Sequence, residues 1–256
     1  MIQFEIKEGV GKITLNRADK YHAFVREMAL QLQDVLDKFN DEKSVRAILI
    51  TATGKAFCAG QDLGEATDPN GPDLTQIVQE HYNPIIRKIR NIEKPIVAAV
   101  NGVAAGAGAS IALACDIVVA TESATFIQAF SKIGLIPDSG GTFFLPRLIG
   151  MQKAAALMMT AEPVSAKDAE KMGMIYKAFS DESFKQESWK LVSKLAGMPT
   201  KGLGLTKRLL NASYSNNLEE QLDMEDKCQT IAGNTTDFKE GIEAFFEKRK
   251  PNFKGE

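Results

Sequence analysis

Residues 94–120 read KPIVAAVNGVAAGAGASIALACDIVVA. From Ile96 to Cys115 the stretch carries no charge, over about the length that spans a bilayer. Its composition argues against a membrane segment. Alanine and glycine dominate it, Asn101 and Ser110 lie inside it, and Pro95 and Asp116 bracket it closely. The stretch therefore reads as a buried strand, a tight loop and a closely packed helix.

The same order recurs to either side. Residues 2–7 and 10–15 are apolar or alternating around Glu8-Gly9, which predicts a hairpin. In FVREMALQLQDVLDKF, Val25, Met28, Leu32, Val35, Leu36 and Phe39 recur at helical steps, and VRAILITA follows as a strand. DIVVATESATFIQ predicts two short strands. From about Ala154 the texture turns helical, with Ser165 and Asp168 placed to cap SAKDAEKMG, MIYKAF as a short strand, and only helices beyond Asp181. No Pro- or Ser-rich linker divides the chain. The fold class is α/β: a spiral body over residues 1–195 and a helical part over 196–256, together one structural unit.

Composition excludes several functions. The 31 basic and 33 acidic side chains leave a net charge of −2, too weak a field to draw nucleic acid or an anionic membrane. Cys58, Cys115 and Cys228 are odd in number and widely spaced, as expected of buried thiols in a reducing compartment, so a cytoplasmic location is expected. The N-terminal MIQFEIKEGV has neither signal- nor transit-peptide character. His22 and His81 stand in no metal-ligand spacing and beside no Gly-flanked serine, and there is no GxxxxGK[ST] loop. GVAAGAGAS lacks the spacing and downstream acid of a dinucleotide fingerprint, which leaves a nicotinamide enzyme a weak alternative.

Two small-residue turns remain, AFCAGQD (56–62) and NGVAAGAGAS (101–110), each after an expected strand and near an expected helix start. Small side chains leave the amide N–H groups uncovered, the arrangement that stabilises a developing oxyanion. Either turn alone is an ordinary strand-to-helix connection.

AFCAGQDL, the 94–120 stretch, GLIPDSGGTFFLPRLIG (134–150) and FFEKRKPNF (245–253) together resemble the crotonase superfamily of acyl-coenzyme A enzymes, from the first hairpin to the last helix. CAGQDL, FSKIGLIPDSGGT and GLGLTKRLLN are similar to its isomerases of bacterial phenylacetate degradation. The resemblance implies a crotonase-like spiral of β-β-α units as the acyl-CoA-binding core, a helical C-terminal trimerisation region, and a homotrimer or dimer of trimers. It implies an acyl-CoA thioester as substrate, coenzyme A arriving as part of that substrate, and no other cofactor or metal. The thioester oxygen would rest between the backbone amides of Gln61 and Ala107, with Gly106 beside them. The two glutamates of the family's hydratases fall at Ser110 and Phe130 here, and neither residue can act as a general acid or base at neutral pH.

Asp138, in GLIPDSGGT, is the remaining acid. Its local chemistry favours a helix cap, because Pro-Asp-Ser-Gly is a turn and Asp before a helix accepts free amides. The resemblance reverses this preference: isomerases of the superfamily place an aspartate at this position, where Phe126 and Phe130 would line an apolar wall and raise its pKa. The expected reaction is isomerisation of ring-1,2-epoxyphenylacetyl-CoA to the oxepin, of a 3-enoyl-CoA to a 2-enoyl-CoA, or both. The alternatives are enoyl-CoA hydration and a non-catalytic scaffold that binds CoA esters. The resemblance also places Lys55, Ala59 and Asp62 by the adenine and pantetheine, and Lys248 and Phe253 by the nucleotide. Tyr82 lies on a helix able to cover the acyl pocket, although packing explains it equally well.

Overall fold

A computed structural model describes residues 1–256. In chain order the strands and helices are β1 Ile2–Lys7, β2 Val10–Leu15, α1 Arg26–Asp41, β3 Ala47–Ala52, β4 Ala56–Cys58, α2 Leu63–Ala66, α3 Leu74–Gln76, α4 Asn83–Asn91, β5 Ile96–Val100, β6 Val103–Ala105, α5 Ala107–Leu113, β7 Ile117–Thr121 and β8 Thr125–Ile127. After these come α6 Gly141–Ile149, α7 Met151–Thr160, β9 Val164–Ser165, α8 Ala166–Lys171, β10 Lys177–Phe179, α9 Phe184–Ala196, α10 Thr200–Ala212, α11 Leu218–Gly233 and α12 Thr236–Glu247. No helix is long and apolar enough to cross a membrane.

The strands form two sheets. One has the order β1-β2-β3-β5-β7-β10 and the other β4-β6-β8-β9. Between β3 and β8 the chain repeatedly lays one strand in the first sheet, the next in the second, and then turns into helix. That alternation is the expected spiral of β-β-α units. The expected hairpin is present, with Glu8 and Gly9 both at positive φ between β1 and β2. Pairing within the first sheet is otherwise parallel.

The apolar runs follow from burial on both faces. Along β3, Ile48 and Ile50 face the main core with α1, α4 and α5, while Ala47 and Leu49 face Phe184, Val192 and Ala196 of α9. Along β5, Ile96, Ala98 and Val100 belong to the main core and Val97 and Ala99 to the α9 side. Charge is absent from 96–115 because nearly every side chain there meets protein, not lipid.

Two glycines set how closely the layers approach. A methyl group in place of the Gly102 hydrogen would lie 2.1 Å from the Lys55 carbonyl oxygen, and one at Gly108 would lie 2.4 Å from the Cys58 carbonyl oxygen. The 55–58 segment and the 102–108 turn therefore pack backbone against backbone.

The expectation of helix to the end of the chain is corrected. Helix α12 stops at Glu247 with Lys248 in the left-handed conformation, and the tail is irregular. The buried Asp237 carboxylate accepts the Lys254 and Gly255 N–H groups at 2.6 and 2.7 Å, and Arg46 Nη1 donates to the Phe253 carbonyl at 2.6 Å. These bonds replace the helical ladder, which Pro251 discourages.

Gly102→Ala should lower the melting temperature by about 5 °C or more, as expected for overpacking against immovable backbone. Gly233→Ala, which meets nothing within 4 Å, should leave it unchanged or raised; thermal unfolding of both variants checks the pair.

Candidate active site

The first turn leaves β4 at Cys58. The Phe24 N–H donates to the Gly60 carbonyl at 2.7 Å, the Asp62 N–H to the Phe24 carbonyl at 2.8 Å, and the Ala59 N–H to the Tyr21 carbonyl at 3.0 Å. This short ladder engages the amides on either side of Gln61, while the Gln61 N–H itself has no protein acceptor. The second turn leaves β6 and opens α5 at Ala107, whose N–H is one of the unpaired donors of a helix start. Gly106, at φ 52° and ψ −128°, makes the bend that exposes this amide, a backbone conformation closed to other residues. The two turns touch: a methyl group at Gly60 would lie 3.4 Å from the Ala107 nitrogen.

The Gln61 side chain turns into the protein. The Tyr82 hydroxyl donates to Gln61 Oε1 at 2.8 Å, and Gln61 Nε2 donates to Glu65 Oε2 at 2.9 Å. Glu65 in turn accepts the Arg26 N–H at 2.9 and 3.1 Å. Tyr82 is fully buried, and burial, followed by the neighbouring Cys58, Asp138 and Glu65, pushes its phenol well above the ordinary tyrosine range, so it stays a neutral donor. It ends a π-helical turn, Ile77–Tyr82, whose Glu80 and His81 carbonyls accept from Gln33 Nε2 at 2.8 and 3.2 Å.

Around the first turn the other groups are committed to structure. Asp62 accepts from Arg17 Nη1 at 2.7 Å and caps α2 through the Gly64 and Glu65 amides. The Arg17 hydrogen bond leads the causes that hold its carboxyl below the usual range. His22 is buried and neutral, with Nδ1 accepting from the Arg17 N–H at 2.9 Å and Nε2 placed 2.7 Å from the Thr53 carbonyl to donate. Asn101 Nδ2 donates to the Gly54 and Ala56 carbonyls, both at 3.1 Å, and so ties the two turns together. Lys55 and Ala59 are exposed. No group of three or more His, Cys, Asp or Glu side chains is arranged to hold a metal ion.

Asp138 does not cap a helix with its side chain. The cap residue of α6 is Gly140, and no side chain bonds the helix start. Ser139 and Gly140 are both left-handed, at φ 53° and 74°, and the Gly141 N–H closes the turn on the Asp138 carbonyl at 2.8 Å. The carboxylate is half-buried and accepts only from the Ser139 hydroxyl, at 2.8 Å. Burial raises its pKa above the usual carboxylate range, and the Ser139 bond offsets part of the rise. Ser110 is fully buried on α5, and Phe126 and Phe130 are buried beside the second turn, the Phe130 ring 3.8 Å from where a Gly106 methyl would lie.

Within one chain, Lys248 and Phe253 lie elsewhere. Lys248 is exposed at the end of α12, and the Phe253 ring packs on Gly241. A hollow of about 650 Å³, lined by Thr51, Asn101, Ser188 and Trp189 among others, opens between the first sheet and α9, and none of Gln61, Ala107 or Asp138 lines it. Sequence reading missed the bond from Tyr82 to Gln61, which joins residues 21 positions apart through a π turn that no periodicity announces. Its one visible signal is a tyrosine with a polar tip on an otherwise packed helix face.

A carboxyl group held protonated by burial in the native state destabilises that state once pH makes it ionise. The unfolded chain then binds fewer protons than the native one between the two pKa values, and stability falls as pH rises through that window. Asp138→Asn should therefore melt higher than the parent at pH 7, with the gain shrinking as pH approaches 4; thermal unfolding against pH measures it.

The family model for enoyl-CoA hydratase/isomerase matches residues 5–256. The chain is 44% identical over 253 residues to a 1,2-epoxyphenylacetyl-CoA isomerase of Escherichia coli, covering 98% of this chain and 97% of that protein. It is 33% identical over 257 residues to a trans-2-decenoyl-[acyl-carrier-protein] isomerase of Streptococcus mutans, covering 99% and 98%. An enoyl-CoA hydratase of Bacillus anthracis superposes with a TM-score of 0.93 at 32% identity, over 100% of this chain and 99% of that one. With two touching small-residue turns in a β-β-α spiral and a match over nearly its whole length, the chain belongs to the enoyl-CoA hydratase/isomerase family and is an enzyme of it.

Proposed function

We propose that this enzyme is an acyl-CoA isomerase with Asp138 as its acid–base residue. One observation carries the reading: Asp138 is a half-buried carboxylate with a raised pKa and no capping duty. The resemblance, which puts the two glutamates of the family's hydratases at Ser110 and Phe130, supports it.

The thioester oxygen is received by the Gln61 and Ala107 N–H groups, neither of which has a protein acceptor. Aimed donors of this kind favour the enolate over the ground state and lower the barrier by several kcal/mol. For a 3-enoyl-CoA, the Asp138 carboxylate takes a proton from C2. The electron pair moves onto the thioester oxygen, and the proton returns at C4 as the double bond settles between C2 and C3. No atoms are gained or lost, so one carboxylate suffices. For the ring epoxide of phenylacetyl-CoA, the same proton removal at C2 and its return to the ring accompany expansion to the oxepin. Identity to the Escherichia coli isomerase supports this second substrate. Coenzyme A enters as part of the substrate, and the reaction draws on no other cofactor.

The same reading includes a homotrimer or dimer of trimers. Leu218 and Leu222 of α11 and Phe238, Phe245 and Phe246 of α12 are exposed and apolar, a surface suited to a second copy.

Conversion of a 3-enoyl-CoA to the conjugated thioester by the parent should fall by about 10²–10⁴-fold in Asp138→Asn. Hydration of crotonyl-CoA, followed in parallel, should be negligible in both proteins. Efficient hydration that survives the substitution would replace this reading with that of a hydratase. Because Asp138 must be ionised to take the proton, kcat/KM should rise on an acid limb placed above the ordinary carboxylate range.

A further inference from the structure

Two polar atoms beside the Asp138 turn have no hydrogen-bond partner. Ser110 Oγ and Gln128 Oε1 are both buried and unpaired. Ser110 is 0% exposed and Gln128 5% exposed. Both converge on Gly141: the position of a methyl group there lies 2.8 Å from Ser110 Oγ, 3.3 Å from Pro137 Cβ and 3.6 Å from Gln128 Oε1. Gly141 is the residue whose N–H closes the turn on Asp138. The orphan pair is therefore built against the segment that presents the carboxylate, with Phe130 close by on the chain from Gln128.

Ser110 declines a partner that is near at hand. A serine inside a helix commonly turns its hydroxyl onto the carbonyl four residues back, here that of Gly106, yet Ser110 makes no such bond. Unpaired buried polar atoms are costly, and native proteins keep few without a water, an ion or a ligand to satisfy them. A hydroxyl can both donate and accept, and an amide offers either an oxygen or an NH₂ according to its rotamer. Together they suit one oxygen atom, to which they would donate if it were an ether or epoxide oxygen or with which they would exchange bonds if it were a hydroxyl.

We propose that Ser110 and Gln128 form an oxygen-recognising subsite that selects acyl groups carrying an epoxide, ether or hydroxyl oxygen over plain hydrocarbon ones. This rests on the isomerase reading above, in which the acyl group lies beside Asp138. It makes the substrate an oxygenated acyl-CoA and the enzyme one that follows an oxygen-inserting reaction. Discrimination of this kind is strong because an acyl group without the oxygen leaves both protein groups unpaired.

The test compares binding of 2-hydroxyphenylacetyl-CoA and phenylacetyl-CoA, which differ by one oxygen, to the intact protein. The parent should hold the hydroxylated thioester at least about tenfold more tightly. That ratio should fall toward one in Ser110→Ala and, independently, in Gln128→Leu, with circular dichroism confirming that each is folded. If Ser110→Ala fails to fold, Gln128→Leu alone decides. A parent without preference, or a ratio kept in the folded variants, overturns the proposal and assigns the pair to a buried water. The readout is binding, so it stands apart from the isomerase reading: loss of turnover in Asp138→Asn with no oxygen preference refutes the subsite alone, and oxygen preference without isomerisation refutes the isomerase alone.

Discussion

The approach of two backbone segments governs this molecule. Residues 55–58 and 102–108 lie so close that side chains at Gly102 and Gly108 would strike the Lys55 and Cys58 carbonyls. Parallel pairing of β4 with β6 and the Asn101 side chain, bonded to both Gly54 and Ala56, hold the two together. From this contact come the spacing of the two sheets, the burial of Cys58 with its thiol pushed up to about 12, and the proximity of the amides of Gln61 and Ala107. The chemistry asks for donors that need not reorganise, and a backbone wedged against backbone supplies them.

The acidic residue follows another logic. Asp138 stands just before a helix, but Ser139 and Gly140 both adopt left-handed backbone and turn the chain before α6 begins. The carboxylate is thereby separated from the free amides of that helix and left with one hydroxyl partner in a half-buried setting. Stability is given up at this position: a side chain suited to capping is withheld from the cap, and its charge is made harder to form.

Much of this was legible in the sequence because it depends on local chemistry. The hairpin at Glu8-Gly9, the α1 stripe from Met28 to Phe39 and the Ser165 cap on α8 follow from turn, period and capping rules over a few residues. The two small-residue turns stood out as a pair, each after an expected strand, and Asp138 stood out through the family resemblance, since its own surroundings read as a cap. The second sheet was only partly legible, since β4, β6 and β8 have three residues each, too few to show a period. The bond from Asp62 to Arg17 was not legible, because it depends on a residue 45 positions away, whereas its cap on α2 is local. The tail read as helix because KRK and NFKGE carry no stop signal beyond Pro251, and the partner that ends it, Asp237, is reached only by folding back.

Arg46 gives this arrangement a history in time. Its guanidinium, between α1 and β3, donates to the Met198, Thr200 and Phe253 oxygens, the last 207 residues further along the chain. During synthesis the guanidinium before β3 leaves the ribosome long before any of these partners, meets the first of them with residues 198–200 and the last only with Phe253. The spiral can assemble strand by strand as it is made, but its fastening is deferred, and a chain halted before residue 253 carries a finished core with an unfastened seam.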